Sequence, residues 1–103
     1  MHIRQILQGL LDTISIGNTP EVTESMLALS DPIIKPQETN GIGFVLEFEN
    51  GWYIGLKEFR GTMFGVLRYG DGARYSGQIS ATKEALARQL FNTTLEGLTA
   101  PAH

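Results

Sequence analysis

The chain has no cysteine, which removes disulfides, thiolate nucleophiles and sulfur-ligated zinc. Histidine is almost absent: the two, His2 and His103, stand at opposite ends of the 103 residues. They supply neither the base of a Ser-His-Asp or Cys-His arrangement nor an imidazole cluster for a metal. No Asp-x-Asp-x-Asp-Gly loop occurs either. No catalytic residue, metal or cofactor is therefore assigned, and an enzyme is not the expectation. Long apolar runs are missing as well, the longest covering about residues 42–46, far short of a membrane span. Gln5, Gln8 and Asp12 interrupt the apolar residues of the N-terminal segment, unlike a signal peptide. The expected address is the cytoplasm, with no membrane contact. Ions are also sparse, at 18% of residues against about 25% in ordinary domains.

What is present suits one small core. Apolar residues make up 42% of the chain and there are twelve glycines, nine of them between residues 41 and 77. The size fits a single domain over 1–103. The net charge of −3 is unevenly spread. Residues 1–51 carry seven acids (Asp12, Glu21, Glu24, Asp31, Glu38, Glu47, Glu49) against Arg4 and Lys35. Residues 52–80 carry Lys57, Arg60, Arg68 and Arg74 against Glu58 and Asp71. Only the glycine-rich middle leans positive, and the acidic first half speaks against a nucleic-acid partner.

Ile3, Ile6, Leu7, Leu10, Leu11 and Ile14 fall on one helical face. They predict an amphipathic helix over 2–15, ended by Gly17-Asn18. Thr19-Pro20-Glu21 is a helix start, with a hydroxyl cap, a proline that needs no N–H there and an acid in the first turn. Asp31-Pro32 closes that helix, and a loop containing Pro36 and Asn40-Gly41 is expected to follow. From Ile42 the apolar period becomes two.

Asn50-Gly51 marks a hairpin, and burial selects its register. A loop of Glu49-Asn50-Gly51, with glycine in a left-handed bulge position, pairs Phe48 with Trp52, Leu46 with Ile54 and Phe44 with Leu56. Every large apolar group then shares one face; a slip by one residue would split them. Gly70-Asp71-Gly72 gives a second hairpin by the same argument. The turn near Arg60-Gly61-Thr62 is open by one residue. Strands are expected over 42–49, 52–59, 63–69 and 73–79. Ser80 caps a last helix over 81–97, with Gly97 able to end it. The fold class is α+β: two N-terminal helices, a four-stranded antiparallel β-meander and a C-terminal helix packed on one sheet face.

This register creates a second, outer face holding Val45, Glu47, Tyr53, Lys57, Phe59, Phe64, Val66, Arg68, Arg74, Ser76 and Gln78, with Gly43 and Gly55 among them. Rings and cations together are unlike a face that meets only water. It is either a docking surface or ordinary core covered by the C-terminal helix or the 31–41 segment. Glu47 and Glu58 fall on opposite faces and cannot act as an acid/base pair. Gly41-x-Gly43 and Gly70-x-Gly72 lack the context of phosphate loops. Trp52 is expected to close the core edge.

The expected function is a small non-enzymatic interaction module of adaptor, inhibitor or immunity type. It would bind a protein partner, or itself, through the outer face and the last helix, whose broad apolar stripe could seat a second subunit. Tyr53, Lys57, Phe59, Phe64, Val66, Arg68 and Arg74 are the candidate contact residues. A small-molecule-binding domain or minor enzyme, with a pocket between sheet and helices near Trp52 and Tyr75, is the alternative, and single-stranded nucleic acid stacking on the rings a third.

Overall fold

The structure, a computed structural model, describes residues 3–16, 20–29 and 31–99. Its elements are α1 (Ile3–Thr13), α2 (Pro20–Ala28), β1 (Ile33–Gln37), β2 (Ile42–Glu47), β3 (Tyr53–Phe59), β4 (Thr62–Tyr69), β5 (Ala73–Gln78) and α3 (Glu84–Thr99). The strands form one antiparallel meander in the order β1-β2-β3-β4-β5. The fold is α+β, as the residue pattern predicts.

The sheet has five strands among the described residues rather than four, because β1 occupies a segment expected to be loop. Pro36 is the reason the pattern misled, and the hydrogen-bond parity explains how a strand tolerates it. Phe48 N–H donates to Trp52 O at 2.8 Å, so residues 48 and 52 are a hydrogen-bonded pair. Alternation then turns the even residues of β2 toward β3 and the odd ones toward β1. With Lys35 opposite Val45 and Pro36 opposite Phe44, the odd residues of β1 face β2. Pro36 turns its missing donor to the open edge, where proline costs no ladder bond.

The other hairpins follow the burial argument. Phe44 pairs with Leu56 and Leu46 with Ile54, the loop spans 49–51, and Gly51 has φ +85° while its N–H donates to Phe48 O at 2.9 Å. Tyr69 pairs with Ala73 around a loop with positive φ at both Gly70 and Gly72. The open turn proves to be two residues, Arg60 and Gly61, between the paired Phe59 and Thr62. Both take positive φ, the type I′ geometry that matches sheet twist, and the strand after it begins at Thr62 rather than residue 63.

The helices bury the inner face. Ile6, Leu7, Leu10 and Ile14 meet Phe44, Leu46, Ile54, Leu56, Met63 and Leu67, with Val22, Met26, Ala87 and Phe91 in the same cluster. Arg88 fastens α3 to the β3–β4 turn, donating from Nε to Glu84 at 3.1 Å, from Nη1 to Glu58 at 2.9 Å and from Nη2 to Gly61 O at 2.7 Å. Helix limits differ from the pattern. The last helix starts at Glu84 after a turn in which Lys83 N–H bonds Ser80 O, and Gly97 lies inside it. α1 ends at Thr13. Gly17, Asn18, Thr19, His2 and His103 lie outside the described residues.

Candidate functional site: the open sheet face

Pairing sorts the outer side chains into rows that cross the sheet. One row runs Ile33, Glu47, Tyr53, Arg68, Arg74; the next Lys35, Val45, Gly55, Val66, Ser76; the third Gln37, Gly43, Lys57, Phe64, Gln78. Phe59 and Thr62 finish the face at the Arg60-Gly61 turn. The residues expected there are there. Neither segment proposed as a cover closes it: residues 33–37 widen the sheet by a strand, leaving only Asn40 at its rim, and α3 packs into the inner cluster through Ala87 and Phe91.

Two expectations need correcting. The outer face and the last helix stand on opposite sides of the sheet, so they cannot form one docking surface. Leu86 of α3 is 53% exposed, but it lines a groove with Gly9, Asp12 and Thr13 of α1, away from Tyr53 and Phe64. Val66, a candidate contact residue, is only 5% exposed, and Val45 across the sheet only 9%. Longer neighbours on both sides cover these valines, making them the floor of the face rather than its contact points. Gly43 and Gly55 also serve a purpose other than flatness. A Cβ on either would fall on the backbone of the facing strand, so close strand approach requires them.

The electrostatics are lopsided. Lys35, Lys57, Arg68 and Arg74 share the face with one carboxylate, Glu47, giving it +3 on a chain of net −3. Lys35 pairs with Glu47 at 3.0 Å. Lys57, Arg68 and Arg74 have no ion-pair partner among the described residues. Arg68 stands directly opposite Arg74, a like-charge pair that costs stability in a sheet. The Arg60 guanidinium lies 5.1 Å from the Phe59 ring centre, a cation–π contact. Lys57, Phe59, Phe64, Asn40 and Ser76 line a depression of ≈ 350 Å³. Gln37 Oε1, in the row of Lys57, is shielded from solvent and has no hydrogen-bond partner among the described residues. Ile33, 57% exposed, and Gln37 escaped sequence reasoning because β1 did; the isoleucine pair before Lys35 was the available signal.

The inner ring row is structural. Tyr69 meets Trp52 edge-on at 6.0 Å between ring centres and stacks on Tyr75 at 5.9 Å, so Trp52 closes the core edge. The Tyr75 hydroxyl, a hydrogen-bonding neighbour, holds the Tyr69 phenol above its ordinary value near 10, and desolvation adds to this. Among the described residues, no three His, Asp or Glu side chains gather as a metal site, and no helix is long and apolar enough to cross a membrane. Compared with known proteins, the chain matches no family model, no curated protein and no solved structure.

Proposed function

We propose that the protein is a non-enzymatic interaction module whose outer sheet face docks a partner protein presenting carboxylates beside apolar groups. One observation carries this reading: Arg68 and Arg74 oppose each other with no ion-pair partner among the described residues, on a face where Tyr53, Phe59 and Phe64 also reach the surface. Like charges held side by side weaken the sheet, and a partner's carboxylates would turn that cost into binding energy. Tyr and Arg also give large contact area at low entropic cost. Lys57 extends the same chemistry. A second copy pressed face to face would oppose +3 with +3, so another protein suits the face better than self-stacking.

Capture from a lysate of the native host, with wild type beside Phe64→Glu and the double variant Arg68→Glu/Arg74→Glu, tests the reading. The expected result is a protein partner retained by wild type, released by moderate salt and lost with both variants, while Leu86→Glu on the opposite layer keeps it. All variants should melt near wild type. An unchanged set of captured proteins, or retention of nucleic acid instead of protein, overturns the reading.

A further inference from the structure

The two edges of the sheet are built differently. Ile79 N–H donates to Met63 O at 3.0 Å, so alternation turns the odd residues of β5 toward β4. Arg74, Ser76 and Gln78 therefore direct every N–H and C=O outward. On the opposite edge Pro36 removes a donor from the corresponding row. Proteins usually blunt free edges with proline, bulges or inward charges. β5 has no proline or bulge along Ala73–Gln78 and one charge, Arg74, and its middle residues Arg74, Tyr75 and Ser76 are all exposed.

We propose that β5 pairs antiparallel with β5 of a second copy, continuing one sheet through both chains about a two-fold axis at Ser76. Parity and strand length select the register. Setting Arg74 opposite Gln78 of the second copy, and Ser76 opposite Ser76, lets each of these pairs exchange both of its bonds, so no outward group of β5 is left over. Sliding by two residues toward the hairpin uses loop residue 72 in place of a strand residue; sliding further brings Arg74 onto Arg74. The chosen register places neutral Gln78 against each Arg74 and opposes no like charges. It also sets Tyr75, 38% exposed, opposite Gly77 of the second copy. Ile16 covers Gly77, its Cδ1 only 2.9 Å from a Cβ built there, so the incoming ring lies beside Ile16 and meets no side chain of residue 77. The occupant is a second copy because this register satisfies every outward backbone group of the strand with its own equivalent and opposes no like charges. The inference does not depend on the outer face binding another protein, and it is tested without one.

Light scattering and sedimentation of the purified chain between about 1 µM and about 1 mM, the range of weak interfaces, should show a reversible monomer–dimer equilibrium. Gln78→Glu places a carboxylate against Arg74 of the second copy and should tighten dimerisation roughly threefold to tenfold at low salt; Gln78→Arg should weaken it by a similar factor. Ser76→Pro removes only an outward N–H and should give a monomer with the wild-type circular dichroism. Amide exchange at Arg74, Ser76 and Gln78 should slow as concentration rises, while the odd residues of β5 keep constant protection. A monomer across the whole range overturns the proposal. So does a dimer that responds to Glu and Arg at position 78 in the same direction or not at all.

Discussion

Ile14 rests on Gly65. A Cβ built on that glycine would lie 2.8 Å from Ile14 Cγ1 and 2.9 Å from its Cγ2, closer than real carbon contacts allow. Gly65 pairs across the sheet with Gly77, over which Ile16 sits in the same way. The chain leaving α1 thus lies in a notch cut from two adjacent strands, β4 and β5, while α1 itself meets the sheet chiefly at β3.

Gly65→Ala should destabilise the fold by about 1–3 kcal/mol, the usual cost of overpacking. Ile14 is 1% exposed and is held too firmly to step aside. Ile14→Ala alone should cost about 2–5 kcal/mol. The double variant should be more stable than the sum of the two losses by about 1 kcal/mol or more. Urea melts of the four proteins measure this coupling, and strict additivity would show that the two side chains do not meet.

Thr94 is 3% exposed and its Oγ1 has no hydrogen-bond partner. It lines a small cavity with Ile6, Ile34 and Leu98, where a hydroxyl is desolvated without compensation. Thr94→Val keeps the shape and removes the polar atom, so it should stabilise the protein by about 1 kcal/mol. A lower denaturation midpoint than wild type would show that the hydroxyl is satisfied in solution.

Tyr69 gives the fold an alkaline limit. Its folded pKa is raised, first by the Tyr75 hydroxyl and then by desolvation, so the native state holds the phenolic proton more tightly than the unfolded chain does. The associated stability is complete below about pH 10, the unfolded value, and is lost as pH climbs through the folded pKa. Melting temperatures across pH 8–11 should fall more steeply for wild type than for Tyr69→Phe. Parallel curves would remove Tyr69 from the account.

The carboxylates of Glu84 and then Glu58 hold the Arg88 guanidinium above its ordinary pKa, but the ion pairs lie at a surface where water competes, with side chains 37–49% exposed. Arg88→Met should lower the melting temperature less than Gly65→Ala does, and high salt should shrink the difference further. Its clearer effect should be faster amide exchange at the Arg60-Gly61 turn, which loses the Nη2 bond to Gly61 O.

Much of this architecture is legible in the residues because burial enforces it locally. Phe44, Leu46, Ile54 and Leu56 can share a face only with a three-residue loop at Gly51, and the same logic brings Tyr69 opposite Ala73. The outer face was readable for that reason: once the register is set, Tyr53, Lys57, Phe64, Arg68 and Arg74 have nowhere else to point. β1 was hidden because half of its residues face a free edge and one is proline, so no alternation or donor count marks it as a strand.

Period and turn chemistry in the chain alone determined the α+β class, the order of β2 to β5 and the composition of each face. Tertiary structure decided what stands over each face: the helices cover the inner layer, where Ile14 and Ile16 fill a glycine notch, and β1 joined the sheet where β2 had unpaired backbone groups to satisfy. It also separated the last helix from the ring-and-cation face, since a helix can bury its apolar stripe only on the side where the sheet is equally apolar.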